Sequence, residues 1–302
     1  MKLARGFTLI ELAIVLVIIT ILIGGLAVPL SAQIQARRIG ETNRTLEEAR
    51  ETILGYIMTH NTLTATTCDC QYNADTTLDT SPTVTTCPTN FCPLTSTSST
   101  TLSLQFTRHY LPCPDLNGAD PEPNLDNDGD GSLSDLNNGR EDRYVTGSVG
   151  SCATTSGHFP WVTLATAAQD AWGNRLGYSV ENREYADSSK GLPNLALLTP
   201  PYAALNLKRI CRGSACTAVD AVYLPAVIFS HGPNGWGAHN VNGNTLKAPT
   251  SADELENTDA DADFVSRSPS KAGDAAGEYD DLVVWISDGL LRSRVCPAGG
   301  CP

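Results

Sequence analysis

The stretch Gly6-Phe7-Thr8-Leu9-Ile10-Glu11-Leu12, continued at once by the apolar segment Ala13 to Leu30, decides how the rest of the chain is arranged. No charged side chain occurs from Leu12 to Ile34, and about twenty consecutive apolar residues are what an α-helix needs to cross the hydrocarbon of a bilayer. Glu11 stands at the mouth of that segment. An ionised side chain there costs roughly 2.5–3.5 kcal/mol on insertion scales while it is unpaired, so it calls for a partner. A plain anchor has no use for such a residue. A cleaved secretory signal has its small-residue site after the apolar core, whereas the glycine here precedes it.

This N-terminus resembles that of type IV pilins and of the related type II secretion pseudopilins, in which a short basic leader is cut after a glycine and the new terminal phenylalanine is N-methylated. The resemblance implies a leader from Met1 to Gly6 carrying Lys2 and Arg5, cleavage between Gly6 and Phe7 by a prepilin peptidase, and methylation of Phe7. Glu11 then becomes the fifth residue of the mature chain. A physical reason agrees with the resemblance: the ammonium freed on Phe7 of one subunit can pair with Glu11 of a neighbour, offsetting the cost of burying each charge. The helix is on this view an assembly device. Its expected partners are copies of itself, other pilins or pseudopilins and an inner-membrane assembly platform.

The chain has 302 residues, a net charge of -13 and a pI near 4.7, which argues against a general nucleic-acid surface, since that needs basic clusters. Ten cysteines, all beyond the apolar segment, point to an oxidising compartment. Four close pairs are Cys68 and Cys70, Cys87 and Cys92, Cys211 and Cys216, and Cys296 and Cys301, leaving Cys113 and Cys152 as mates by elimination. Connectivity stays open, because Cys68 and Cys70 are awkward partners for each other and can instead cross to Cys87 and Cys92. Zinc is the competing reading, but gaps of one or four residues do not supply Cys-x-x-Cys sets. Lys2 and Arg5 before the apolar run place the N-terminus in the cytoplasm. Arg37 and Arg38 blur that bias, and the cysteines restore it by requiring a periplasmic or extracellular C-terminal domain.

Beyond the apolar run the helix continues. Ile39, Thr42, Leu46, Ala49, Ile53 and Tyr56 recur at three- and four-residue steps, with charged residues between them, so one stripe packs on a globular head. From Phe7 to His60 the rod would reach about 80 Å at 1.5 Å per residue. Gly24, Gly25 and Pro29 predict a kink or an extended segment inside it. From Asn61 to Thr107 the sequence turns Thr/Ser-rich with four cysteines and reads as a disulfide-tied surface loop.

Two acidic runs have calcium-loop spacing. Asp126, Asp128 and Asp130 alternate before Gly131, the ligand pattern that precedes a sharp turn, with Asp135, Glu141 or Asp142, or the Ser132 carbonyl, to complete the shell. The bidentate glutamate of a full loop is missing, because Asn137 stands at the twelfth place. Asp259, Asp261 and Asp263 repeat the alternation without a turn glycine. Solvated acidic turns use the same residue types.

Asp170-Ala-Trp-Gly-Asn-Arg-Leu-Gly-Tyr resembles the segment that enters the sheet in secretion pseudopilins, and Leu176, Tyr178 and Val180 alternate as a half-buried strand. Trp161 and Trp172 read as core anchors. Val222 to Ser230 reads as one strand covered on both faces, and Leu282 to Ile286 as another that ends on the turn Ser287-Asp288-Gly289. No nucleophile elbow, phosphate loop, dinucleotide fingerprint or zinc-protease motif occurs, and the five histidines are scattered, so the chain is not expected to be an enzyme.

The expected fold is α+β and pilin-like: a long N-terminal helix, membrane-spanning in its first half, packed on a small antiparallel β-sheet with large disulfide-tied loops. The segments are a leader at 1–6, an assembly half of the helix at 7–30, an amphipathic half at 31–60, a loop insertion at 61–107 and a β-rich head at 108–302. The expected role is a minor or atypically large structural subunit of a type IV pilus or type II secretion pseudopilus. A filament-tip adhesin using the cysteine-rich loop and calcium-bound surface is the alternative. Large tip pseudopilins commonly lack the glutamate that Glu11 supplies, which argues against that position.

Overall fold

A computed structural model describes residues 9–70, 100–116, 138–144, 150–192, 202 and 205–295; side chains are not described for 23–30, 61–70 and 100–108. Helix α1 (Leu9–Thr59) runs 51 residues without interruption. Its backbone stays helical through Gly24, Gly25 and Pro29, so the extended segment expected there is not seen. Surrounding helical bonds outlast the one that a proline removes.

The C-terminal half of α1 carries the predicted stripe. Thr42, Leu46, Ala49, Ile53 and Tyr56 are buried, joined by Leu54 and Ile57, while Glu41, Glu47, Glu48 and Glu51 remain exposed. That stripe lies across β7 (Ala226–Ser230), β9 (Leu282–Ile286) and α3 (Asp288–Val295).

β7 and β9 belong to a four-stranded antiparallel sheet, completed by β3 (Ser156–His158) and β4 (Gly177–Val180), in the order β3-β4-β7-β9. A three-stranded sheet of β5 (Lys208–Cys211), β6 (Val219–Leu224) and β8 (Asp263–Val265) packs on the far side; β5 pairs antiparallel with β6 and parallel with β8. The short helix α2 (Ala252–Glu256) leads into β8. Alternation along β7 produces two cores. Ala226 and Ile228 face the helix beside Leu46, Ile53 and Tyr178, whereas Val227 and Phe229 join Ile210, Leu224 and Phe264.

Several details depart from the sequence expectation. Val222 to Ser230 is two strands in two different sheets, because Pro225 has no N–H to continue a ladder and Tyr223 adopts φ 58° just before it. The β4 strand, expected to be half-buried, is buried at all four residues, with Tyr178 and Val180 in the core beside α1 and the ring of Phe229 against Gly177. Ser287-Asp288-Gly289 begins α3 rather than a free turn. Residues 61–70 and 100–109, expected as loop, pair as an antiparallel ribbon of β1 (Asn61–Cys70) and β2 (Thr100–His109), a sheet of its own. Trp161 is half-buried against the main core with the Arg175 guanidinium 3.8 Å above its ring, and Trp172 is half-buried too. The large fully buried side chains are instead Tyr178, Tyr185, Tyr279 and Phe159.

Disulfides join Cys113 to Cys152, with Cα atoms 5.3 Å apart, and Cys211 to Cys216, at 5.0 Å. These are the two pairs the sequence suggests at those positions. Cys87, Cys92, Cys296 and Cys301 lie outside the described residues, as do the side chains of Cys68 and Cys70.

Candidate functional site

The N-terminal half of α1 is apolar on every side. Ile14, Val15, Leu16 and Val17 make one full turn, and they are 55, 49, 53 and 57 % exposed. A single apolar stripe would be ordinary for a helix that packs on its own head. Exposure around the whole circumference means that none of the described residues covers this turn, and apolar surface of this extent marks a site of association. Glu11 lies on the same exposed surface, in the first turn of α1. Among the described residues no helix is long and apolar enough to cross a membrane. The described side chains stop at Leu22 and resume at Ser31, so the middle of the run 12–34 falls outside them. Gly6 and Phe7 lie outside them as well.

Glu141, a candidate for the calcium shell by its place in the sequence, instead ties the helix to the head. Glu141 Oε1 accepts from the Tyr56 hydroxyl at 2.8 Å, and its Oε2 accepts from the Cys113 N–H and from Arg143 Nη2, both at 2.9 Å. Arg143 then donates to the carbonyls of Gly150, Ala186 and Leu111. One partly buried ion pair so ties α1, the Cys113–Cys152 bridge and the Ala186 turn to one another. Burial and the Glu141 charge push the Tyr56 hydroxyl far above its usual range, which keeps it a donor. Glu181, fully buried, accepts from the N–H groups of Arg183, Asn206, Glu184 and Tyr185, and so stands in for helix-type capping of that turn. Sequence offers no signal for such roles, because each depends on partners far along the chain.

Of the acidic runs singled out by spacing, Asp126, Asp128, Asp130, Ser132 and Asp135 lie outside the described residues. Asp259, Asp261 and Asp263 are described, and their oxygens have occupations. Asp263 takes both arms of Arg209, at 2.6 and 2.5 Å. Asp259 and Asp261 each accept the N–H two residues on, the bonding of an Asx turn. Oxygens of Glu256, Asp261 and Asp263 come within 4.8 Å of one another. Burial, then the charges of Asp259, Asp261, Asp263 and Asp253, push the Glu256 carboxyl up to about 7.

No curated protein and no solved structure matches the chain significantly. Residues 1–27 match the family model of the prokaryotic N-terminal methylation motif. The chain thus carries the signature of type IV pilins and pseudopilins, which implies a membrane-anchored precursor, processing by a prepilin peptidase and assembly into a pilin-type filament.

Proposed function

We propose that the protein is a structural subunit, a minor or atypically large pilin or pseudopilin, held in the inner membrane by a single pass of α1 with its head in the periplasm before polymerisation. The observation that carries this is the contrast within α1. The lower half is buried by its own head through Leu46, Ile53 and Ile57, whereas the described side chains of 9–22 are apolar, Glu11 and Thr20 apart, and exposed on all sides. A bilayer covers the upper half before assembly, and neighbouring helices cover it in the filament. Glu11 pairs with the terminal amine of an adjoining Phe7, so that two charges enter the apolar bundle only as a neutral pair.

Mass spectrometry of sheared surface filaments tests this directly. An N-methylated peptide beginning at Phe7 is expected, and Glu11→Ala should abolish filament yield while leaving the head folded. A mature chain that still begins at Met1 beside an active peptidase would overturn it.

The separate β1-β2 ribbon, hydrogen-bonded to neither of the other sheets, supports a second reading in which the 61–107 segment contacts a surface or a secreted substrate at the filament tip. Deleting residues 71–99 separates the two. Intact filaments that no longer adhere favour binding, and lost filaments favour a structural role for the segment. Calcium at residues 126–135 or 259–263 remains part of this proposal, tested by whether Asp128→Ala removes a calcium-dependent gain in melting temperature.

A further inference from the structure

The charges of α1 fall in two blocks at different heights on one rod. Residues 31–40 contain Arg37 and Arg38 and no acid, whereas residues 41–60 contain Glu41, Glu47, Glu48 and Glu51 against Arg44 and Arg50. Arg37 and Arg38 are exposed, and among the described residues neither has an ion-pair partner. Arg44 and Arg50 are occupied by Glu48 and Glu47 of their own helix.

Arg37, Arg44, Glu48, Glu51 and Gly55 recur at steps of three, four or seven residues on the side of α1 opposite its buried stripe, and all are exposed. At Glu48 and Glu51 that side borders a groove of about 660 Å³ between α1 and residues 163–166. Glu51 accepts no hydrogen bond from the described residues, and Arg294 stands 3.7 Å from it. Gly55 lines the groove one turn on, and a Cβ there would meet nothing within 4 Å. The fold of one copy does not call for this glycine, which weakens a helix interior. It leaves bare backbone for a neighbour to approach closely.

A second copy carries the complementary charge. Two parallel helices lying level would set each charge beside its like. A displacement of seven residues does the same, with Arg37 beside Arg44 and Glu41 beside Glu48. A displacement of eleven residues brings Arg37 to Glu48, and one of fourteen brings it to Glu51, about 16–21 Å along the axis. Four residues would pair Arg37 with Glu41, but on open helix surface, where ion pairs contribute little. The groove withdraws the pair partly from water, and the same attraction is stronger there. The uncharged run 12–34 is longer than any of these displacements, so apolar surface still faces apolar surface.

We propose that the groove beside Glu48 and Glu51 is the docking site for Arg37 of a second copy, with Arg38 alongside, and that this contact sets the axial stagger between subunits. The inference rests on the filament reading above. Each copy offers an arginine at one height and a groove at another, a head-to-tail contact that propagates as a filament where it closes no ring.

A chain carrying both Arg37→Cys and Glu51→Cys tests the register. Within one copy these positions lie about 21 Å apart, too far for a disulfide. Diamide, which takes up the two thiol hydrogens, should therefore turn sheared filaments into a ladder of covalent oligomers on non-reducing gels, and either single substitution should give none. Arg37→Glu should lower filament yield about tenfold, with circular dichroism showing the head still folded, and Glu51→Arg in the same chain should restore most of it. Filaments that give no ladder overturn the proposal, as does a ladder from Arg37→Cys with Glu41→Cys instead. A loss of yield that Glu51→Arg does not rescue also overturns it, and is the outcome expected if Arg37 serves lipid headgroups. Absence of filaments from the unaltered chain overturns the filament reading itself, and this contact with it.

Discussion

At Asp170 a single buried side chain closes three hydrogen bonds. Its Oδ1 accepts from the N–H groups of Trp172 and Asn174, both at 2.9 Å, and its Oδ2 from the Ser230 hydroxyl at 2.7 Å. The first element of Asp-Ala-Trp-Gly-Asn is therefore a staple between a turn and the end of β7, and Asp170→Ala should cost about 2–4 kcal/mol, read as the shift in urea midpoint. Gly177 pairs with Phe229 across β4 and β7, and a Cβ there would lie 2.2 Å from the ring. Because Phe229 is fixed in the second core, Gly177→Ala should lose about 1–3 kcal/mol through overpacking. His158 gives a pH dependence. Burial first, then His239, Arg175 and His231, push it down to about 3. Its unfolded value is near 6.5, so between the two the unfolded chain holds the extra proton and stability falls on acidification, by up to about 1.4 kcal/mol per pH unit. His158→Gln should flatten that slope in denaturation midpoints taken from neutral to acid pH.

The elements owe their stability to different forces. For the lower half of α1 it is apolar burial: Leu46 and Ile53 are fully buried against the sheet, and alanine at either should cost about 2–5 kcal/mol by leaving a cavity. The Cys113 segment depends on its cross-link. The bridge to Cys152 spans 39 residues, for which loop-closure entropy predicts about 4 kcal/mol. Paired serines at 113 and 152 should lower the melting temperature more than paired serines at 211 and 216, whose bridge spans only 5. The stripe on α1 was legible in the sequence because a helix repeats its environment every three or four residues. The alternation of Ala226, Val227, Ile228 and Phe229 was legible for the matching reason in a strand. The break at Pro225 and the ribbon at 61–70 and 100–109 were not, since partners in another sheet or thirty residues away decide them.

On the scale of the whole molecule, folding of the head and exposure of the upper helix are separate properties. Val17→Arg should leave thermal unfolding of the head unchanged, because residue 17 touches none of its core, yet it should abolish filaments by placing a charge in an apolar bundle. Fluorescence melting and electron microscopy of the same variant check both halves of that expectation.

The order of residues alone was enough for what is local: a cleavable N-terminal motif, a helix apolar all round and then on one side, the alternation along β7, and the close cysteine pair at 211 and 216. Each follows from residues near one another along the chain, where period and spacing are physical signals. Only the tertiary structure decided which carboxylates meet. Glu254 of α2 meets Asp280, which precedes β9, and Glu141 finds Tyr56 across the head. A buried charge is stable only through partners that encircle it in space, and nothing in the order of the residues names those partners.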